Sequence, residues 1–114
     1  MLPTTQGYPD FLLRTATLGD FAELVAALLP CMWGYSEVGR RLAAGDGPTD
    51  RRYRAWIDAY ASDEFAELAA WCRALTDGAG EHADPARMRR AFVTSSRYEL
   101  AFWEMAWSGE RWPA

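Results

Sequence analysis

The sequence predicts an all-α protein, and three observations point that way. Apolar residues recur at steps of three and four almost throughout, which is the spacing of one face of a helix. No stretch alternates apolar and polar residues as a half-buried strand would. Asp20, Asp50, Ser62 and Asp84 each stand where a side-chain oxygen could accept from the free N–H groups of a helix start. At 114 residues the chain is one domain, 1–114, large enough to bury roughly 60–70% of its unfolded surface.

The first helix is expected over about residues 9–17, ended by "LGD". Asp20 then caps a second helix, with Glu23 three residues on completing a capping box, and this helix runs to about residue 43. "AGDGPTD" is a loop whose Asp50 caps a third helix to about residue 60. Ser62 caps a fourth that stops before "DGAG", where two glycines favour termination. Asp84 and Pro85 open the fifth, Pro85 at the first position where a missing N–H is harmless, and it runs to about residue 107.

The second helix contains a proline directly before a cysteine, in "LLPCMWGYSEVG". A helix-interior proline removes one hydrogen bond and crowds the carbonyl four residues back, so Pro30 is expected to kink the helix at a cost of about 3 kcal/mol and uncover backbone beside Cys31. Cys31, Tyr35, Val38 and Leu42 follow one stripe, so thiol and phenol point the same way. Two readings stand for Cys31: inert packing, the ordinary role of a cysteine on an apolar face, or a nucleophile.

On the fifth helix Met88, Phe92, Ser95, Glu99, Phe102, Trp103 and Ala106 define an inward face with Glu99 at its centre, while Glu104 reads as a solvated charge opposite. A carboxylate in an apolar stripe must find partners or become neutral, which is how a general acid is made. The alternative is a structural carboxylate paired with Arg97 or Arg14. Tyr53, Trp56, Ile57 and Tyr60 share one face of the third helix, and their hydroxyls call for polar partners at a pocket edge. Phe65, Leu68, Ala69, Cys72 and Leu75 make a core stripe on the fourth, with Cys72 as packing.

Composition excludes several function classes. Six Trp, five Tyr and five Phe suit a packed interior with an aromatic-lined pocket. A net charge of −4 with no basic block gives nucleic-acid binding little support. Cys31 and Cys72 lack metal-ligand spacing and His82 stands alone in a Gly- and Asp-rich stretch, so no metal, haem or other cofactor is expected. The longest apolar run, "LVAALLPCMW", is far short of the ~20 residues that span a bilayer, so no membrane association is expected. No leader pattern is present; the expectation is a cytoplasmic protein with reduced thiols. Redox sensing through Cys31 and Cys72 is not favoured, because the two lie on stripes of different helices with no basic neighbour.

The stretches "FLLRTA", "ALLPCMWGYSEVGRRL", "YRAWIDAY" and "FVTSSRYELAFWEMAW" resemble, in order, the C-terminal half of the thiaminase II (TenA) family, over about residues 8–112. The resemblance implies the C-terminal half of a haem-oxygenase-like helical bundle, without haem. It implies an aminopyrimidine aminohydrolase of thiamin salvage, which releases hydroxymethylpyrimidine from aminomethylpyrimidine and can cleave thiamin itself. In such enzymes the cysteine of "LLPC", here Cys31, attacks the pyrimidine ring, and the glutamate of "YE", here Glu99, trades protons with a ring nitrogen and the leaving group. Tyr8, Tyr35 and Tyr60 match pocket tyrosines, Tyr8 close to the thiol. Cys31 and Glu99 are therefore expected to face one shared cavity.

Family members are considerably longer. Their N-terminal half supplies an aspartate that holds the exocyclic amine and an aromatic that packs on the ring, and no residue here takes those roles, Asp10 and Asp20 being wrongly placed. A truncated or split product, or a misplaced start, is the expectation. With it comes an exposed apolar groove and either homo-oligomers, the relatives usually being homotetramers, or a complementing N-terminal half. The alternative function is a non-catalytic helical module that binds a pyrimidine or a partner chain.

Overall fold

The computed structural model describes residues 1–114 as five helices: α1 (Pro3–Leu18), α2 (Phe21–Ala43), α3 (Arg51–Ala61), α4 (Asp63–Gly80) and α5 (Pro85–Ser108). The predicted starts of α2 to α5 hold. Asp20 and Glu23 form the capping box, and Asp50, Ser62 and Asp84 each accept from a first-turn N–H. Gly109, at φ 71°, closes α5 in the left-handed conformation that glycine adopts freely.

Two local expectations are corrected. Helix α1 begins at Pro3, six residues before the predicted start, and carries Pro9 inside it. Leu2 supplies no cap there; instead Glu110, from beyond α5, accepts from Thr4 N–H at 3.0 Å and from the Thr4 hydroxyl at 2.8 Å. Helix α4 continues through "DGAG" to Gly80, its last turn held by the buried Thr76, whose hydroxyl donates to the Cys72 carbonyl at 2.7 Å, and by Met88 against Gly80. Helix α2 runs on through Pro30 as one helix.

Helix α2 is the hub. It packs against α1, α3, α4 and α5, and α5 also packs against α1. Close approach to α5 is possible because small residues meet there: Ala26 and Ala27 pack with Ala91 of α5, with Phe11, Leu12, Met88 and Phe92 around them. Gly39 lies against the backbone of Tyr60 and Ala61, where an added Cβ would stand 2.7 Å from the Tyr60 carbonyl carbon.

The Cα positions extend 47 × 45 × 17 Å, a slab. Since one helix with its side chains is about 10 Å across, every helix in a slab this thin keeps a face in water. That geometry corrects the predicted inward faces. Trp103 and Ala106 on α5, Tyr53 on α3, Leu68 on α4, and Val38 and Leu42 on α2 are exposed; α5 buries Ser95, as its stripe predicts, together with Ala91 and Met105, which lie outside that stripe. Large apolar side chains such as Leu13, Leu18, Phe21, Trp71, Leu100 and Trp107 also meet solvent. No helix is long and apolar enough to cross a membrane.

Candidate active site

Four helices bring the predicted residues together. Tyr8 comes from the middle of α1, Cys31 and Tyr35 from successive turns of α2, Tyr60 from the end of α3 and Glu99 from the middle of α5. The Tyr8 hydroxyl lies 2.7 Å from Glu99 Oε1 and 2.9 Å from the Ser95 hydroxyl. Ser95 is fully buried and donates to the Ala27 carbonyl at 2.5 Å. The carbonyl that receives an outside donor thus lies one residue past Ala26, the one crowded by Pro30. The Tyr8 ring is held flat against Tyr98, centroids 5.4 Å apart and planes at 8°, and Gly7 leaves room for that stack.

Electrostatics tie the thiol to this group. Burial pushes the Cys31 thiol above its ordinary value, and the neighbouring Glu99 carboxylate adds to the shift. Tyr35 is pushed up to about 12, chiefly by burial, then by the negative charges that Glu99, Cys31 and Tyr60 would carry. Tyr8 is also raised, first by burial, although its bond to Ser95 pulls the other way. Cys31 is therefore a neutral thiol at neutral pH.

Glu99 has no ion-pair partner. The alternative pairing fails: Arg97 is exposed, and Arg14 lines a separate cleft of about 390 Å³ with Glu23, Arg87 and Arg90. The expectation of one cavity shared by Cys31 and Glu99 is corrected. Cys31 opens on an apolar cleft of about 260 Å³ with Leu28, Met32, Trp71 and Cys72, whereas Glu99 lines two others on the far side of Pro30 and Gly34. One of these, about 170 Å³, is walled by Tyr35 and Trp103. The thiol and the carboxyl line different openings, yet the carboxyl still raises the thiol's titration.

Tyr35 and Tyr60 belong to an aromatic cluster, their centroids 5.2 Å apart, with Trp56 and Trp103 within 6.4 Å of a cluster neighbour. Cys72, read as packing, lines the same apolar cleft as Cys31. Sequence reasoning assigned no role to Ser95, Tyr98 or Trp103. Ser95 stands four residues before Glu99 on one face, and that spacing was the available signal. No group of three or more His, Cys, Asp or Glu side chains is placed to hold a metal ion.

The chain is similar to known proteins over most of its own length. The aminopyrimidine aminohydrolase of Halalkalibacterium halodurans is 39% identical over 113 residues, covering 96% of this chain and 50% of the relative. The aminopyrimidine aminohydrolase of Bacillus subtilis is also 39% identical over 113 residues, covering 96% of this chain and 48% of the relative. The solved structure of the TenA homologue protein from P. horikoshii OT3 superposes with a TM-score of 0.84 at 40% identity, covering 94% of this chain and 50% of that one. The chain thus spans about half the length of the curated relatives it matches. Residues 1–109 match the TENA/THI-4/PQQC family, and the helical fold is that of its TenA members; the chain belongs to this family.

Proposed function

We propose that the chain carries the nucleophile and proton-transfer half of an aminopyrimidine aminohydrolase acting in thiamin salvage. The observation that carries this reading is the bond of Tyr8 to Glu99 at 2.7 Å, with no cation to neutralise the carboxyl and with the Cys31 thiol near enough for Glu99 to raise its titration. An acid and a phenol in contact, with a thiol nearby, suit addition to an electron-poor ring. The sulfur bonds to a ring carbon and passes its proton to Glu99 as Glu99 protonates a ring nitrogen; Glu99 then protonates the departing amine and takes a proton back from the water that adds in its place, and the carbon–sulfur bond breaks with the ring-nitrogen proton returning to the sulfur. The net change is aminomethylpyrimidine plus water to hydroxymethylpyrimidine plus ammonia. Tyr35 and Tyr60, in their aromatic cluster, would line the ring pocket.

Release of hydroxymethylpyrimidine from aminomethylpyrimidine tests this, with the chain alone and mixed with the N-terminal half of a full-length relative. Cys31→Ser and Glu99→Gln should each lower the rate by about 10²-fold or more. Equal rates in wild type and both variants would refute the assigned roles.

A second reading rests on the exposed apolar residues, among them Leu100, Trp103 and Trp107 beside α5's site-bearing stretch. In it the chain is a module completed by a partner, either a second copy or the missing half. A chain inert alone but activated by the added half would select this reading. Neither reading calls for a cofactor, and reduced cytoplasmic surroundings suit the free thiols.

A further inference from the structure

Three arginines gather on a cleft that the proposed chemistry does not use. The cleft, about 390 Å³, lies between α1 and the start of α5, with Arg14 on the α1 wall and Arg87 and Arg90 on the α5 wall. It shares no lining residue with the clefts of Cys31 and Glu99. The chain as a whole has a net charge of −4, so this is a local reversal of sign. Glu23 is the one carboxylate lining the cleft, and it is already engaged. Arg87 Nε holds its Oε1 at 3.3 Å, and the same oxygen accepts from the Asp20 N–H at 3.4 Å. Arg14 and Arg90 form no ion pair. Arg87 and Arg90 also stand three residues apart on one helix, a spacing at which like charges repel. The first turn of α5 holds Arg87 and no acidic residue, so the helix dipole disfavours that cation as well.

We propose that this cleft is a binding site for a phosphoryl dianion, carried either as inorganic phosphate or as the monoester of a small ring compound. The lining sets three cations against one carboxylate, an excess of two that the dianion matches. Guanidinium groups offer paired N–H donors in a fork that fits phosphoryl oxygens. Thr94 adds a hydroxyl. Ser96, two residues on, gives its proton to the Phe92 carbonyl at 2.8 Å; Thr94 makes no such bond and keeps its O–H for a ligand. Phe11 supplies an apolar wall for the body of the ester.

The place of the cleft couples it to the candidate active site. An anion held by Arg14 and Arg90 ties α1 to α5, the two helices whose contact makes the bond of Tyr8 to Glu99 at 2.7 Å. Phe11 stacks on Tyr98 with centroids 5.7 Å apart, and Tyr98 on Tyr8 at 5.4 Å, so one column of rings joins the cleft wall to Tyr8.

Isothermal titration calorimetry on the chain tests this at low ionic strength and about pH 7.5, above the second phosphate ionisation near 6. The probes are phenyl phosphate, inorganic phosphate and succinate. The phosphoryl probes should bind once per chain, and succinate, a dianion without a phosphoryl group, at least about 10-fold more weakly. Arg14→Gln and Arg90→Gln each remove one charged donor and should weaken phenyl phosphate by about 10-fold. Both side chains are exposed, so these variants keep the fold. Arg97→Gln, at an exposed position of α5 outside the cleft, should bind as wild type does. Tighter binding of phenyl phosphate than of phosphate supports the ester as occupant, and equal binding supports free phosphate. Absent binding of both, unchanged affinity in Arg14→Gln and Arg90→Gln, an equal loss in Arg97→Gln, or succinate binding as tightly would each overturn the proposal. Failure to release hydroxymethylpyrimidine would instead count against the hydrolase reading and leave this binding as it is.

Discussion

Gly39→Ala tests the crossing of α2 and α3, on which the placing of Tyr60 beside Tyr35 depends. In a helix interior, glycine to alanine adds about 1 kcal/mol of stability. At Gly39 the new Cβ would meet the Tyr60 carbonyl carbon at 2.7 Å, Tyr60 Cβ at 2.8 Å and Ala61 N at 2.9 Å. Ordinary carbon contacts lie at about 3.5–4.0 Å, so the helices must part by roughly 1 Å. Two of the three atoms are backbone and cannot rotate aside, which puts the strain at the upper end of the ~1–3 kcal/mol range for overpacking. The net is a loss of about 2 kcal/mol. Gly34, five residues earlier in α2, has nothing within 4 Å of its added Cβ, so Gly34→Ala should be stabilised by about 0.5–1 kcal/mol. Urea unfolding followed by circular dichroism reads both, and with slopes of about 1–3 kcal/mol per molar the Gly39→Ala midpoint should drop by roughly 1 M. A Gly39→Ala midpoint at or above wild type, with Gly34→Ala raised, would refute the close crossing.

Two further predictions concern stability. Glu110→Ala removes the acceptor of two bonds from Thr4 and should cost about 1–2 kcal/mol, with faster hydrogen exchange confined to the first turn of α1; unchanged exchange there would show that the latch is not used. The second follows from the raised values of Cys31, Tyr8 and Tyr35. At alkaline pH the folded chain holds protons that the unfolded chain releases from groups of ordinary value 9.0 and 10.0, so stability falls as pH rises past about 9. Below that these groups contribute no pH dependence. Tyr35→Phe should flatten the decline between pH 10 and about 12, and an identical slope in the variant would disprove the assignment.

The residues themselves determined that the chain is helical and where four of its helices begin, because a cap acts within one turn: Asp20 accepts from Glu23 N–H, three residues away. They also carried the chemistry, since a proline–cysteine motif and a glutamate in an apolar stripe are legible as residue types at a spacing. The start of α1 was not legible, for its cap is Glu110, 106 residues distant. Nor was the burial of each face. Periodicity shows that a helix has an apolar side but not whether another helix lies over it, and in a slab 17 Å thick Trp103 and Leu42 remain in solvent despite their register. The bond from Ser95 to Ala27 spans 68 positions. Only the packing of α5 on α2 brought that serine to the carbonyl, and with it Glu99 to Tyr8 and Cys31.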